Sequence, residues 1–488
     1  MRNNVATSWL HYFSSTSAVD WLIAIGATLL YLFLRWATWF IGLPPLEWVF
    51  LAAIVAVYVA TRMVTAPLLL LILIAAGSMA GNIVHVVEDG LIPFSLFQVF
   101  YLLAILVFIV RWFISGYEPL VKTGFELELA LFFSLVFLSI LWTPDAERAF
   151  LHAIRVLALS GLLFLFSNWI KNPRHITYVI SSLVVLGSIL GLIAIYYTIN
   201  NPMAIIQDIL TDGTRLATRA RVGQTDPNIF ASLFFLPLAF TATLSFSRTH
   251  LLVRLISILC FFILMAAVLV TFSRSAWVAI LIMMIVLAVL YRQYNLFVAG
   301  VIVILVVLAL VPELRHLFLN IVNRFLGLFT GSVDTSNYVR ILLIYASLGM
   351  FFDSWLLGVG WRGFPDHIFR YYSYQETHGV FEPHNVVYLV YAELGLAGLI
   401  LFTFIVYKIF RLAWNNIRLS QSISGLPSGI EVSALAHALF GAFLAYAIFY
   451  QFLGSGFLDN QLWITTGLII GLNTWLNRTV SRQSEKDK

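Results

Sequence analysis

Apolar runs of about the length of a membrane span recur along the chain. They lie near residues 19–40, 46–60, 64–84, 94–115, 127–142, 150–168, 176–199, 228–246, 252–272, 275–290, 295–311, 386–407, 433–453 and 461–477. A helix crossing the hydrocarbon core needs about 20 such residues, and lipid offers no partner to an unsatisfied backbone group. Each run is therefore predicted to be a transmembrane helix. Some runs are short or nearly fused, as around Ser273–Ser275. The pattern thus predicts an all-α polytopic membrane protein of about 12–14 spans. The first run has no small-residue cleavage site after it and reads as an anchor.

This pattern sets the expected organisation. Residues 1–311 carry the first eleven spans, with an arginine-bearing outer loop at 200–227. Residues 312–385 form one large outer loop, 386–477 the C-terminal spans and 478–488 a cytoplasmic tail. Within the large loop, Glu313, His316, Asn320, Asn323 and Arg324 recur at helical spacing among Leu314, Leu317, Phe318, Ile321, Phe325 and Phe329. That is the signature of an amphipathic helix lying along the outer leaflet. Tyr338–Phe352 is predicted to be a second helix, capped by Thr335 or Ser336.

Composition narrows the class. Hydrophobic residues make up 61% of the 488 residues and charged residues 10%, against about 45–50% and about 25% in soluble domains. A soluble enzyme, a disordered chain and a nucleic-acid binder are all excluded. Cys260 is the single cysteine, so no intramolecular disulfide can form and exported loops must hold their shape by packing.

The placement of charge says more than its sum. With the N-terminus in the cytoplasm, every lysine (Lys122, Lys171, Lys408, Lys486, Lys488) falls on the cytoplasmic side, together with Arg111, Arg174, Arg254, Arg292, Arg411, Arg418, Arg478 and Arg482. The short connections then obey the positive-inside rule. The outer segments contain arginine without lysine: Arg215, Arg219 and Arg221 in one loop, Arg315, Arg324, Arg340, Arg362 and Arg370 in the other, and Arg274 at a span junction. Guanidinium groups used in this way suit planar, bidentate recognition of an oxyanion such as phosphate. The competing explanation is that they brace the loops against Asp208, Asp212, Asp226, Asp334 or Asp353.

Three local patterns suggest chemistry. Gly358-Val-Gly360-Trp-Arg-Gly363 matches G-x-G-x-x-G, but no parallel-sheet unit surrounds it, so a dinucleotide site is rejected. Its glycines instead predict a tight turn that brings the backbone close to another element. Glu376, His378, Glu382 and His384 are suitable metal ligands, but their spacing matches no tight ligand motif, and no metal is expected. His384-Asn385 follows Pro383 and opens the next span, with Tyr388, Tyr391 and Gly395 on the same helical face. A histidine at the membrane surface can serve as a base near neutral pH. Glu393, inside that span, should have a buried partner.

His384-Asn385, nine residues, then Gly395-Leu-Ala-Gly398 has the form H-N-x9-G-x-x-G, which resembles the signature of the bacterial O-antigen ligase family, within the O-antigen ligase/polymerase superfamily. Three further stretches are similar to family segments: Arg221–Asn228 (RVGQTDPN), Thr271–Ala276 (TFSRSA) and Leu357–Phe364 (LGVGWRGF). The resemblance spans roughly residues 215–410. It implies a glycosyltransferase of the inner membrane that acts on the periplasmic face without metal or cofactor. The implied partners are an undecaprenyl-diphosphate-linked glycan donor, a lipid A core or glycan acceptor, and membrane lipid. The family's essential residues carry over to Arg221, Arg274 and His384. Arg215, Arg219, Arg340 and Arg362, which match no family position, join Asn385 and Tyr388 as expected substrate-binding residues. A polymerase of the same superfamily and a lipid or solute transporter are the alternatives.

Overall fold

The structure is a computed structural model that describes residues 66–80, 95–114, 120–200, 226–292 apart from 248, 319, 335–372, 382–422, and 432–486 apart from 455. The expected spans near 19–40, 46–60 and 295–311 lie outside these residues. So do Arg215, Arg219, Arg221, Glu376, His378 and, Leu319 apart, the amphipathic stretch over 313–329.

The described residues fall into two compact units. One contains 66–70 and 101–114, portions of α1 (Ala66–Ala80) and α2 (Leu96–Ile114). The other contains the rest of those helices and everything from residue 120 onward. The second unit is built from α3 (Glu126–Ser139), α4 (Ala146–Trp169), α5 (Pro173–Asn200), α6 (Pro227–Ser232), α7 (Phe235–Phe246), α8 (Leu251–Val270) and α9 (Arg274–Leu290). It continues with α10 (Thr335–Asp353), the short α11 (Phe364–His367), α12 (Val386–Ser422), α13 (Val432–Phe449) and α14 (Asn460–Lys486). Among the described residues there is no strand. α4, α5, α6 with α7, α8, α12 and α13 are each long and apolar enough to cross a bilayer. The chain is a multi-pass helical membrane protein.

Packing follows the apolar faces. α4 lies along α14, α13 packs on α7 and α9, and α8 packs on α5 and α7. α12 touches α3, α10, α13 and α14. On α8, Leu252, Leu259 and Phe262 remain 61–69% exposed, as expected of a surface that faces lipid. Polar side chains join helices in the interior: Asn416 Nδ2 donates to the Ile469 carbonyl at 2.9 Å and Asn473 Nδ2 to Asn416 Oδ1 at 2.8 Å, joining α12 to α14.

Chain reversals sort the connections into two sets. The α3–α4 turn, the start of α6, the α8–α9 junction, the segment between α10 and α12, and the α13–α14 turn gather at one end. They are joined there by hydrogen bonds such as Ser273 to Asn228 and Ser232 to Asp459. The α4–α5, α7–α8 and α9 ends fall opposite, with Lys171, Arg174, Arg254 and Arg292.

The segment between α10 and α12 is where sequence and structure explain each other best. α12 breaks at Gly395, whose φ is 62° and ψ −159°. The Gly358 region inserts its backbone into the break. The N–H groups of Val359 and Gly360 donate to the carbonyls of Ala392 (3.0 Å) and Glu393 (2.9 Å). The N–H groups of Leu396 and Ala397 donate to the carbonyls of Trp355 (2.8 Å) and Leu356 (3.2 Å). The loop thus replaces helical hydrogen bonds that a break would leave unmade, as an apolar setting demands. Contact this close requires glycine on both sides. A Cβ at Gly358 would sit 2.4 Å from the Glu393 carbonyl carbon, and one at Gly395 2.4 Å from that of Leu356. The expected close backbone approach is therefore present, and its partner is the helix break.

Gly395→Ala is accordingly expected to destabilise the protein by at least about 1–3 kcal/mol from backbone conformation alone. The clash with Leu356 adds to this cost. Thermal unfolding in detergent checks it, and an unchanged midpoint would contradict the described junction.

Candidate active site

His384 sits just ahead of α12, in a turn held by its neighbours. Asn385 Oδ1 accepts from the N–H groups of Val387 (2.8 Å) and Tyr388 (3.0 Å), capping the helix. Asn385 Nδ2 donates to the Gln451 carbonyl at 2.9 Å, and the Val386 N–H to the Tyr450 carbonyl at 2.9 Å. Gly454 lies against the Pro383 carbonyl, where a Cβ would stand 2.5 Å from the oxygen. The α13–α14 turn that receives these bonds is itself pinned. The buried Asp459 carboxylate accepts from the hydroxyls of Tyr450 and Ser232 and from the backbone of Gln461 and Leu462. Burial pushes the Asp459 carboxyl up from its ordinary value.

One expectation changes here. His384 does not share a helical face with Tyr388, Tyr391 and Gly395, because Asn385 takes the cap position and Gly395 breaks the helix. Asn385, expected to bind substrate, has its side chain committed to holding the histidine's turn. Tyr388 packs its ring on Tyr391, centroids 5.5 Å apart.

Charged groups surround the imidazole. Burial holds the His384 pKa below its ordinary value, and the guanidinium of Arg340, near the start of α10, lowers it further. Glu382 and Asp226 act against these effects. The ring is therefore neutral at neutral pH, the state a base requires.

Asp226 links His384 to the second arginine segment. It is the N-cap of α6, accepting from the Asn228 N–H at 2.7 Å with Pro227 at the first helical position, a favourable start for a helix. Two residues on, Asn228 Oδ1 accepts from Ser273 Oγ at 2.8 Å. Ser273 directly precedes Arg274, the first residue of α9. Phe272, at a φ of 53°, makes the sharp junction between α8 and α9. The Asp226–Asn228 end of the first segment and the TFSRSA segment thus meet through Asn228 and Ser273, with Asp226 in the electrostatic surroundings of His384. Of the three expected catalytic residues, Arg274 and His384 lie on this connected set of elements; Arg221 is not among the described residues.

Arg362 comes from the glycine-rich loop, at a left-handed φ of 59°. Its guanidinium pairs with Glu382. Its carbonyl accepts from Arg148 Nη2 at 3.1 Å, and Arg148 also pairs with Asp366. The loop is fastened to the α3–α4 turn as well: the Trp361 N–H donates to Ser139 Oγ, and Thr143 Oγ1 donates to the Trp361 carbonyl, both at 3.0 Å. Glu393, fully buried, finds its expected partner in this loop, where its carboxylate accepts from the backbone of Phe364 at 3.4 Å and of Arg362. An anion binding at Arg362 would compete with Glu382.

The sequence offers Asp226 as a bracing carboxylate, which its cap of α6 fits, offers Glu382 only within a rejected metal pattern, and assigns Arg148 nothing. The Glu382-Pro383-His384 adjacency carried a signal. The contacts of Arg148 with residues more than 200 positions away carried none.

The pH profile of kcat/KM reports groups of the free enzyme. If His384 is the base, its acid limb is expected below the ordinary histidine value of 6.5. Asp226→Asn removes a group that raises the histidine pKa, so the limb moves to lower pH. Arg340→Gln removes one that lowers it, so the limb moves to higher pH. Shifts in the same direction for both variants would contradict the arrangement.

Fold and site together define a polytopic helical membrane protein with a half-buried histidine, its pKa lowered by burial and by Arg340, at one end of its spans. Residues 259–403 match the Wzy_C family, described as O-antigen ligase. This part of the chain is similar to O-antigen ligase domains, in line with the resemblance of its H-N-x9-G-x-x-G signature. The matched residues include Arg274, the Gly358–Gly363 loop, His384, Gly395 and Gly398; the RVGQTDPN segment lies outside them. No curated protein matches the chain significantly.

Proposed function

We propose that the protein is an O-antigen ligase-type glycosyltransferase that moves a glycan from undecaprenyl diphosphate to a lipid A core acceptor on the periplasmic face of the inner membrane. The observation that carries this reading is the family match over residues 259–403, which takes in Arg274 and a His384 held in a turn fixed by Asn385 and Gln451, with Asp226 and Arg340 in its electrostatic surroundings. In the reaction, the acceptor oxygen bonds to the anomeric carbon as the bond from that carbon to the diphosphate oxygen breaks. His384 takes the acceptor hydroxyl proton. The electron pair leaves on the diphosphate, whose charge Arg274 and Arg221 hold, with Arg340 nearby. Preorganised guanidinium groups at a water-poor surface stabilise that charge without a metal. Attack from the face opposite the leaving group inverts the anomeric centre. Arg215 and Arg219 are proposed to extend the anion site, and Tyr388 to line it.

Reconstitution tests the proposal. Purified protein is given lipid-linked glycan, with lipid A core in one reaction and no second acceptor in the other. Transfer of label to lipid A core supports the ligase. A ladder growing on undecaprenyl diphosphate would assign the protein to the polymerases of the same superfamily. Movement of lipid-linked glycan across the bilayer without a new glycosidic bond would make it a transporter.

A further inference from the structure

The end of the molecule opposite His384 contains a cleft that the proposed chemistry does not use. Its volume is about 430 Å³, and it is lined by Gly124, Lys408, Arg411, Trp414, Asn415 and Arg418, with Leu412 at its wall. Arg411 lies 16 residues beyond the break at Gly395. At about 1.5 Å per residue this places it about 24 Å farther along α12, most of a hydrocarbon thickness away from the break.

The cleft is cationic, and its charges are unequally committed. Lys408 is tied down, pairing with Glu128 and donating to the Gly124 carbonyl at 3.1 Å. Among the described residues, Arg411 and Arg418 have no acidic partner, and both are exposed. The Arg418 guanidinium stands over the Trp414 ring, 5.8 Å from its centroid, which orients it without neutralising it. The cleft is open on the α3 side, where a Cβ built on Gly124 would meet no atom within 4 Å. Two guanidinium groups with an amide between them provide the donors that a phosphate takes up.

A second observation points to the form of that phosphate. Ile400, Phe404, Tyr407, Arg411, Trp414 and Arg418 fall at offsets 0, 4, 7, 11, 14 and 18 along α12, which is one face of a helix. All six are exposed, Ile400, Phe404 and Tyr407 to 46–57%. One continuous stripe is therefore apolar where it runs through the membrane and cationic where it reaches the cleft, with tyrosine and tryptophan at the boundary. Aromatic residues of this kind favour the membrane–water interface. A free phosphate would use only the cationic half. A phospholipid would use both, with its head group on the arginines and an acyl chain along Ile400, Phe404 and Tyr407. Basic pockets beside transmembrane helices are known to take anionic head groups in this way.

We propose that this cleft is a binding site for an anionic phospholipid, its phosphate held by Arg411 and Arg418 and a fatty-acyl chain lying on the Ile400–Phe404–Tyr407 face. The site is separate from the His384 site, and the proposal stands whether or not the glycosyltransferase reading does.

The test uses full-length protein, stripped of lipid in detergent and incubated with equal amounts of phosphatidylglycerol and phosphatidylcholine. Native mass spectrometry counts the retained lipid. Phosphatidylglycerol is expected to be retained in preference, with R411Q and R418Q each weakening retention about fivefold. The double variant R411Q/R418Q should lose the preference, and R411K/R418K, which keeps both charges, should preserve it. Should the double variant fail to fold, the two single variants decide the matter. Equal retention of the two lipids, or undiminished retention by the glutamine variants, would overturn the proposal. Displacement of phosphatidylglycerol by inorganic phosphate would assign the cleft to a free ion and overturn the lipid assignment.

Discussion

His384→Ala is expected to reduce glycan transfer by about 10²–10⁴-fold, the usual contribution of a positioned base. The alcohol acceptor is a poor nucleophile and must lose its proton as it attacks. Asp226 caps α6, and Glu382 is bound to Arg362, so neither carboxylate can substitute without releasing a structural contact. Abundance and membrane insertion should stay normal, because Asn385, Pro383 and Val386 hold the turn through contacts that do not involve the imidazole. Initial rates with purified, lipid-reconstituted protein check this. A variant that keeps more than about a tenth of wild-type turnover would remove the histidine from the chemistry.

Arg274→Lys should lower kcat by about 10²-fold, although the charge is kept. Arg274 opens α9, and Ser273 just before it is fixed by its hydroxyl bond to Asn228. That placement directs a planar fork from a defined backbone position. An ammonium at the same position is a shorter point charge and cannot form two parallel hydrogen bonds to a phosphoryl group. The loss should fall mainly on kcat, because the charge to be held grows as the sugar–phosphate bond breaks, and KM should change less. A lysine variant that turns over at the wild-type rate would show that this arginine only supplies general positive potential.

The class of fold was legible because lipid imposes a simple rule: spans must be long, apolar and helical. The location of His384 was legible for a related reason, as a titratable side chain beside a proline at the mouth of an apolar run stands out. The length of α12 was not. The apolar run stops near residue 407, yet the helix continues to Ser422, carried on by Lys408, Arg411, Asn415 and Arg418, which hydropathy counts against a span. The way α12 breaks was also hidden. Gly395 and Gly398 mark a motif, but only the fold shows the Gly358 loop entering the break with its own backbone hydrogen bonds. The pairing of Glu382 with Arg362 and the place of Asp226 beside His384 were hidden because electrostatic neighbourhood comes from tertiary contact, and the segments that frame His384 are far apart in the chain.

The break at Gly395 also divides α12 into two mechanical parts. The short stretch before it, with His384 at its head, is clamped to the Gly358 loop and the α13–α14 turn. The long stretch after it runs through the lipid. When bilayer thickness changes, such a helix responds by tilting, and because the loop backbone bonds to Leu396 and Ala397 as well as to Ala392 and Glu393, that tilt is passed across the glycine to the Gly358 loop. A change in membrane thickness is thereby carried, through the loop, toward the turn that holds His384.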